Sequence, residues 1–276
     1  MNLVNARLNK PFNNMHALKQ TLTNLKKHYL LFLISSSIEV LFFYLLTRLH
    51  VETFKAAAKH IKEAQNVIQS QIDKLTQQQY ASLDKVLLGN ADFALQYHEI
   101  IKYVGLFILG LTLIWLILRA LNWLIAHKIA QTKIASKEFA KRFILFSAIG
   151  FALFSAALIA CTGMLNYAAY NPLPIINAKT ANIIFGLMII SIHYFLTTAF
   201  AMPKNSKFTD IKKCVIAAKK ILPAYLISNI ILAILLVIPA LMMKNYKWVG
   251  LAIAIFVTIP MITITRIYLI SVQQNN

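Results

Sequence analysis

Acidic residues are scarce in this chain: nine Asp and Glu stand against 28 Lys and Arg. No aspartate falls within an apolar stretch, and only Glu39 interrupts one. That excludes the paired intramembrane aspartates of one class of membrane protease. Glycine is equally sparse, with seven in 276 residues, and no Gly-rich loop is present to cradle a phosphate. Neither a nucleophile elbow nor a zinc-protease motif occurs. The two cysteines, Cys161 and Cys214, have no metal or redox spacing. They fall at opposite ends of the expected topology, too far apart for a disulfide. Charge of either sign is low at 13%, against roughly 25% for a soluble domain. These absences point to a non-enzymatic protein with no cofactor and no metal.

What the chain has instead is apolar length. Six stretches, 29–48, 103–126, 143–163, 181–202, 221–243 and 249–271, each approach the ~20 residues a helix needs to cross hydrocarbon. An all-α, polytopic membrane helix bundle with six transmembrane helices follows. The first stretch lacks a small-x-small cleavage site after it and reads as a retained signal anchor.

The positive charge is unevenly spread. Segments 1–28, 127–142 and 203–220 hold sixteen Lys and Arg, whereas the alternate short loops 164–180 and 244–248 hold only Lys179, Lys244 and Lys247. Basic segments stay on the cytoplasmic side, so the expectation is a cell-membrane protein with both termini cytoplasmic. The same lysines should attract anionic headgroups of the inner leaflet. No recognition motif supports nucleic-acid binding. Within 1–28, Phe12, Met15, Leu18, Leu22 and Leu25 recur at helical spacing among basic and polar residues, the pattern of an amphipathic helix in the headgroup layer.

Between the first and second spans, 49–102 is expected to form an extracytoplasmic helical hairpin and to offer a surface for protein partners. Phe54, Ile61, Ile68 and Leu75 recur every seven residues and predict the seam, with Leu83, Leu87 and Tyr97 opposite. A turn is expected near Gln77–Ser82 with a kink at Gly89-Asn90, or else at Gly89-Asn90 itself. Residues 103–276 then form a five-helix transmembrane region with the basic loops 127–142 and 203–220. A row of small residues, Ala148, Ala152, Ala156 and Ala160, places the third span at the centre of the bundle. Pro260 and Pro239 should disturb the sixth and fifth spans, and Pro223 should fall harmlessly in the first turn of the fifth.

Polar groups inside the spans are the candidate site. Glu39 stands mid-way through the first span, where a charge is costly, so it must face protein and be neutral or paired. His193, at similar depth, or a hydroxyl or Asn of the third or fourth span, is its expected partner. Arg119 and Arg266 sit near enough to the inner ends to snorkel to water. Asn122, Asn182 and Asn229 read as interhelical hydrogen bonds. Glu39 and His193 could form a proton relay; the simpler expectation is a packing contact.

Lys207-Phe208-Thr209-Asp210-Ile211-Lys212 before the fifth span, and Pro260-Met261-Ile262-Thr263-Ile264-Thr265-Arg266-Ile267-Tyr268 within the sixth, carry a resemblance. With the basic tail and the helical loop, they resemble uncharacterised multi-pass proteins of archaea, loosely similar to the membrane domains found beside glycerophosphodiester phosphodiesterases. The resemblance implies a membrane domain without catalytic residues of its own. A scaffold or accessory subunit is the leading expectation. The alternative is a transport component, such as the permease subunit of an ATP-driven exporter.

Overall fold

Backbone amides in hydrocarbon must be satisfied within their own segment, which leaves apolar runs of this length little choice but helix. A computed structural model describes residues 12–73, 89–132, 134–170, 177–202 and 211–274. Among them every regular element is helical: α1 (Phe12–Lys27), α2 (Tyr29–Ile72), α3 (Ala91–Ile114), a π turn (Trp115–Arg119), α4 (Ala120–Ile129), α5 (Ser136–Tyr170), α6 (Ala178–Ala201), α7 (Ile211–Asn245), α8 (Lys247–Ile253), a second π turn (Ala254–Thr258) and α9 (Ile259–Gln274). Six helices are long and apolar enough to cross a membrane, with α3–α4 and α8–α9 each counting as one through their π turns. The chain divides into two units, Met1–Val40 with Arg119–Asn276, and Leu41–Leu118.

In the first unit α9 is the hub, packing on α1, α4, α6 and α7. Its buried face runs through Thr263, Arg266, Ile267, Leu269, Ile270 and Ser271. The third span, α5, is not central. Ala148, Ala152, Ala156 and Ala160 are all exposed, and the helix instead buries Phe143, Ser147, Ala157 and Cys161. That face lies on α6, where Gly150 admits Leu196; a Cβ there would come within 2.7 Å of the leucine side chain. The row of alanines is therefore not a close-approach surface; the close approach is made at Gly150, on the opposite face. The core proper sits where α4 and α6 end and α5 begins. Phe143 stacks on Phe200 at 4.4 Å between ring centres, with Trp123 and Phe139 closing the cluster.

The prolines are accommodated in three ways. Pro260 has no amide, and the helix opens into a π turn just before it, where the Ile259 amide reaches back to Ala254. Pro239 leaves the Leu235 carbonyl without its usual donor; the Thr258 hydroxyl, at the end of that π turn, donates to it at 2.9 Å. Pro223 lies well inside α7, because the helix begins at Ile211 rather than near 221. Nearby, the Tyr194 hydroxyl donates to the Ala218 carbonyl from α6.

The second unit holds two antiparallel arms, the distal part of α2 and α3. Phe42 meets Trp115, His50 meets Phe107, and Leu49 nests on Gly110. Further out, His60 stacks on Tyr103 and its Nδ1 lies 2.7 Å from Gln96 Oε1. The seam is therefore made by Ala57, His60 and Ala64. Phe54 and Ile61 point away from it, 61% and 40% exposed, and Ile68 is half-buried. The seven-residue repeat is real, but small residues win the seam because they let the two backbones approach. Asn90 opens α3, its side chain accepting from the Phe93 amide at 3.0 Å, so Gly89-Asn90 precedes a helix start rather than kinking one. Leu75, Gln77–Ser82, Leu83 and Leu87 lie outside the described residues.

Candidate functional site

The polar residues of the spans converge on Glu39. On α2, Ser35 and Glu39 are one turn apart and both fully buried. Arg119, the last residue of the first π turn, and Asn122, three residues on in α4, share the facing surface. Arg266 comes from α9. Arg119 donates through Nη1 to Glu39 Oε1. Arg266 Nη1 lies 2.8 Å from Oε2, and Asn122 donates to the same oxygen at 2.6 Å. Asn122 in turn accepts from the Ser35 hydroxyl at 3.0 Å. The Arg266 guanidinium also lies 5.8 Å from the Trp123 ring centre, within cation–π range.

Two expectations are thereby overturned. Arg119 and Arg266 do not snorkel; they turn inward, because a mid-span carboxylate offers a charged partner that removes the need for water. Glu39 does not pair with His193, nor with a group of the third or fourth span. His193 Nδ1 instead faces the Tyr225 hydroxyl at 2.7 Å. Of the three asparagines only Asn122 joins the cluster. Asn182 is exposed, and Asn229 donates to the Tyr225 carbonyl of its own helix at 2.8 Å.

Depth explains the convergence. Glu39 is ten residues from the start of α2, Arg119 ten from the end of α4, and Arg266 eight from the end of α9. At 1.5 Å per residue all three lie roughly 12–15 Å from the helix ends beside the aromatic core. Arg119 and Asn122 at i, i+3 were visible in the sequence as one polar face, and that spacing was the signal for the second helix's role.

Chemically the arrangement is a closed one. Both carboxylate oxygens are already engaged, Oε1 by the Arg119 donor and Oε2 by the Asn122 donor and the Arg266 ion pair, which leaves a poor general base and no nucleophile beside it. One acid against two arginines gives the cluster a surplus positive charge. Among the described residues no group of three or more His, Cys, Asp and Glu is arranged to hold a metal.

A second buried polar contact, at His127, was not singled out from the sequence. His127 Nε2 lies 2.8 Å from the Phe200 carbonyl, in the last turn of α6, and Nδ1 lies 3.0 Å from the Thr132 hydroxyl. Carbonyls at a helix C-terminus lack intrahelical donors, so the imidazole caps α6 from α4. Its own helix stops just beyond, where Gln131 takes a positive φ of 58°.

No family model matches the chain, and neither a curated protein nor a solved structure matches it.

Proposed function

We propose that this multi-pass protein is a non-enzymatic scaffold or accessory subunit of the cell membrane. Both termini are cytoplasmic on this reading, from the sixteen-to-three division of Lys and Arg between alternate short segments. The 49–102 hairpin is then outside and available to protein partners.

The observation that carries the reading is the closed cluster at Glu39. A proton relay needs a carboxylate with a free oxygen and a second titrating group in line. Here Arg119, Arg266 and Asn122 occupy both oxygens, and His193 is engaged with Tyr225. A buried pair of this kind fixes which helices meet, and at what register.

A transport component is the second reading, favoured by two features. The cluster has a surplus cation, and Arg119 belongs to a π turn, an irregularity frequent at functional sites. Reconstitution into liposomes separates the two. Proton and chloride flux should not exceed that of protein-free vesicles. A flux present with the native chain and abolished in a folded Glu39→Gln/Arg266→Gln protein would overturn the scaffold reading and favour transport.

A further inference from the structure

The N-terminal helix has three faces, and each meets a different medium. Ala17, Thr21 and Asn24 are buried against α9, where the Thr21 hydroxyl lies 3.3 Å from that of Ser271. With Ala17 at zero and about 100° per residue, this docked face spans roughly 340–40°. Leu18, Leu22 and Met15 follow at roughly 100–160°, and all three are exposed. Lys26, Lys19, Thr23, His16 and Lys27 occupy roughly 180–280° and are exposed as well. The protein-facing side is thus small and polar, while the apolar residues are turned outward beside a basic face.

The helix also cannot continue the axis of α2. A straight continuation would put Thr21 about 27 Å from Glu39 along the axis, at 1.5 Å per residue. Yet Thr21 meets Ser271, only five residues from Arg266, the partner of Glu39. Five residues are about 7.5 Å of helix. The chain therefore bends at His28, beside Gln131 at the end of α4, and α1 packs on the C-terminal part of α9. That is the level at which α2, α4 and α9 leave the apolar layer.

We infer that α1 is a lipid-binding strap: Met15, Leu18 and Leu22 enter the acyl boundary, and Lys19, Lys26 and Lys27 engage anionic lipid headgroups. An apolar face flanked by lysines, at the level where spans end, is the pattern of an interfacial helix. The outward charge on α1 contains no acid to favour a basic partner. The occupant is thus a negatively charged bilayer surface rather than a second copy of this equally basic helix. Because α9 carries both Ser271 and Arg266, the strap docks on the helix that holds the Glu39 cluster. The inference rests on the membrane placement proposed above but not on its orientation, since the test uses bilayers of identical leaflets.

The test labels the full chain with bimane at Leu22→Cys in a Cys214→Ser background, where Cys161 is buried. The protein is reconstituted in phosphatidylcholine with doxyl-labelled phosphatidylglycerol or doxyl-labelled phosphatidylcholine. Both should quench, with the anionic lipid favoured about fivefold or more, the factor one interfacial lysine contributes. Lys19→Gln/Lys26→Gln/Lys27→Gln should bring the two to equality while leaving quenching by both. A bimane at Thr23→Cys should be quenched by aqueous iodide instead. Absence of lipid quenching at position 22 would show the stripe covered by protein and overturn the proposal. Equal quenching by the two lipids in the native chain would overturn the anionic-lipid assignment. Neither outcome touches the flux measurement, so this inference and the scaffold reading can fail separately.

Discussion

Glu39 is the one acid that two guanidiniums share, Arg266 buried and Arg119 half-buried. Replacing it with Gln keeps the shape and some hydrogen bonding but leaves two cations with no counter-charge. Had the carboxyl been neutral and hydrogen-bonded to an uncharged partner, Gln would have been nearly silent. With Arg119 and Arg266 on its oxygens, Glu39→Gln is expected to cost about 3–5 kcal/mol, because breaking one side of a buried pair strands the other. Thermal unfolding in detergent measures this. Glu39→Gln/Arg266→Gln should lose less than the two single losses combined, with a coupling of about 0.5–3 kcal/mol. Strict additivity would show that Arg266 does not feel the carboxylate. Glu39's depth and inward direction were legible in the sequence, since a mid-span carboxylate cannot face lipid cheaply. Its partners were not: an arginine eight or ten residues from a helix end can reach either water or the interior. Only the neighbouring helices decide which.

At the scale of elements, α7 and the α8–α9 helix are joined by a repair. Pro239 deprives Leu235 of a donor, and Thr258 supplies one from the neighbouring helix. Thr258→Val should therefore cost about 1–3 kcal/mol, the penalty of an unsatisfied buried carbonyl. In a Pro239→Ala background, where residue 239 regains its amide, the same change should cost much less; equal cost in both would refute the link. Gly250 has a stricter requirement. A Cβ there would come within 2.7 Å of the Met243 nitrogen and the Pro239 oxygen, both backbone atoms that cannot step aside. Gly250→Ala is expected to prevent the α7–α8 approach and to lower the yield of folded protein sharply, seen as aggregation on size-exclusion chromatography. In the hairpin arms the order of sensitivity is the reverse of what hydrophobicity suggests. Ala57→Leu, on the seam, should speed proteolysis of 49–73, whereas Phe54→Ser, on the outer face, should leave it unchanged. The heptad was legible and its direction was not, because a seven-residue repeat marks a stripe without saying which neighbour fills it. His60, Gln96 and Tyr103, which hold the arms together, belong to no apolar pattern.

For the whole molecule, the six spans were legible from length and composition, because hydrocarbon admits few alternatives to helix. The hub was not legible. A row of small residues marked α5 as central, yet α9 gathers four neighbours through branched apolar residues and a charge. Orientation is the prediction at this scale. A cysteine in place of Lys74 should react with an impermeant thiol reagent in intact cells, and one in place of Lys212 should not; reversed labelling would invert the topology.

The π turn at Ala254–Thr258 bears on how this chain tolerates changes in length. Eight residues separate Gly250 from Thr258, yet both meet α7. In a regular α-helix eight residues would leave them roughly 80° apart, whereas seven would bring them within about 20°. The wide turn absorbs the extra residue, so this helix carries the phase of a chain one residue shorter. A single-residue deletion within a transmembrane helix ordinarily rotates everything beyond it out of register. Deleting Phe256, which is 78% exposed, should instead close the π turn into an α turn and leave both contacts in place, whereas deleting Ile262 should swing Arg266 away from Glu39.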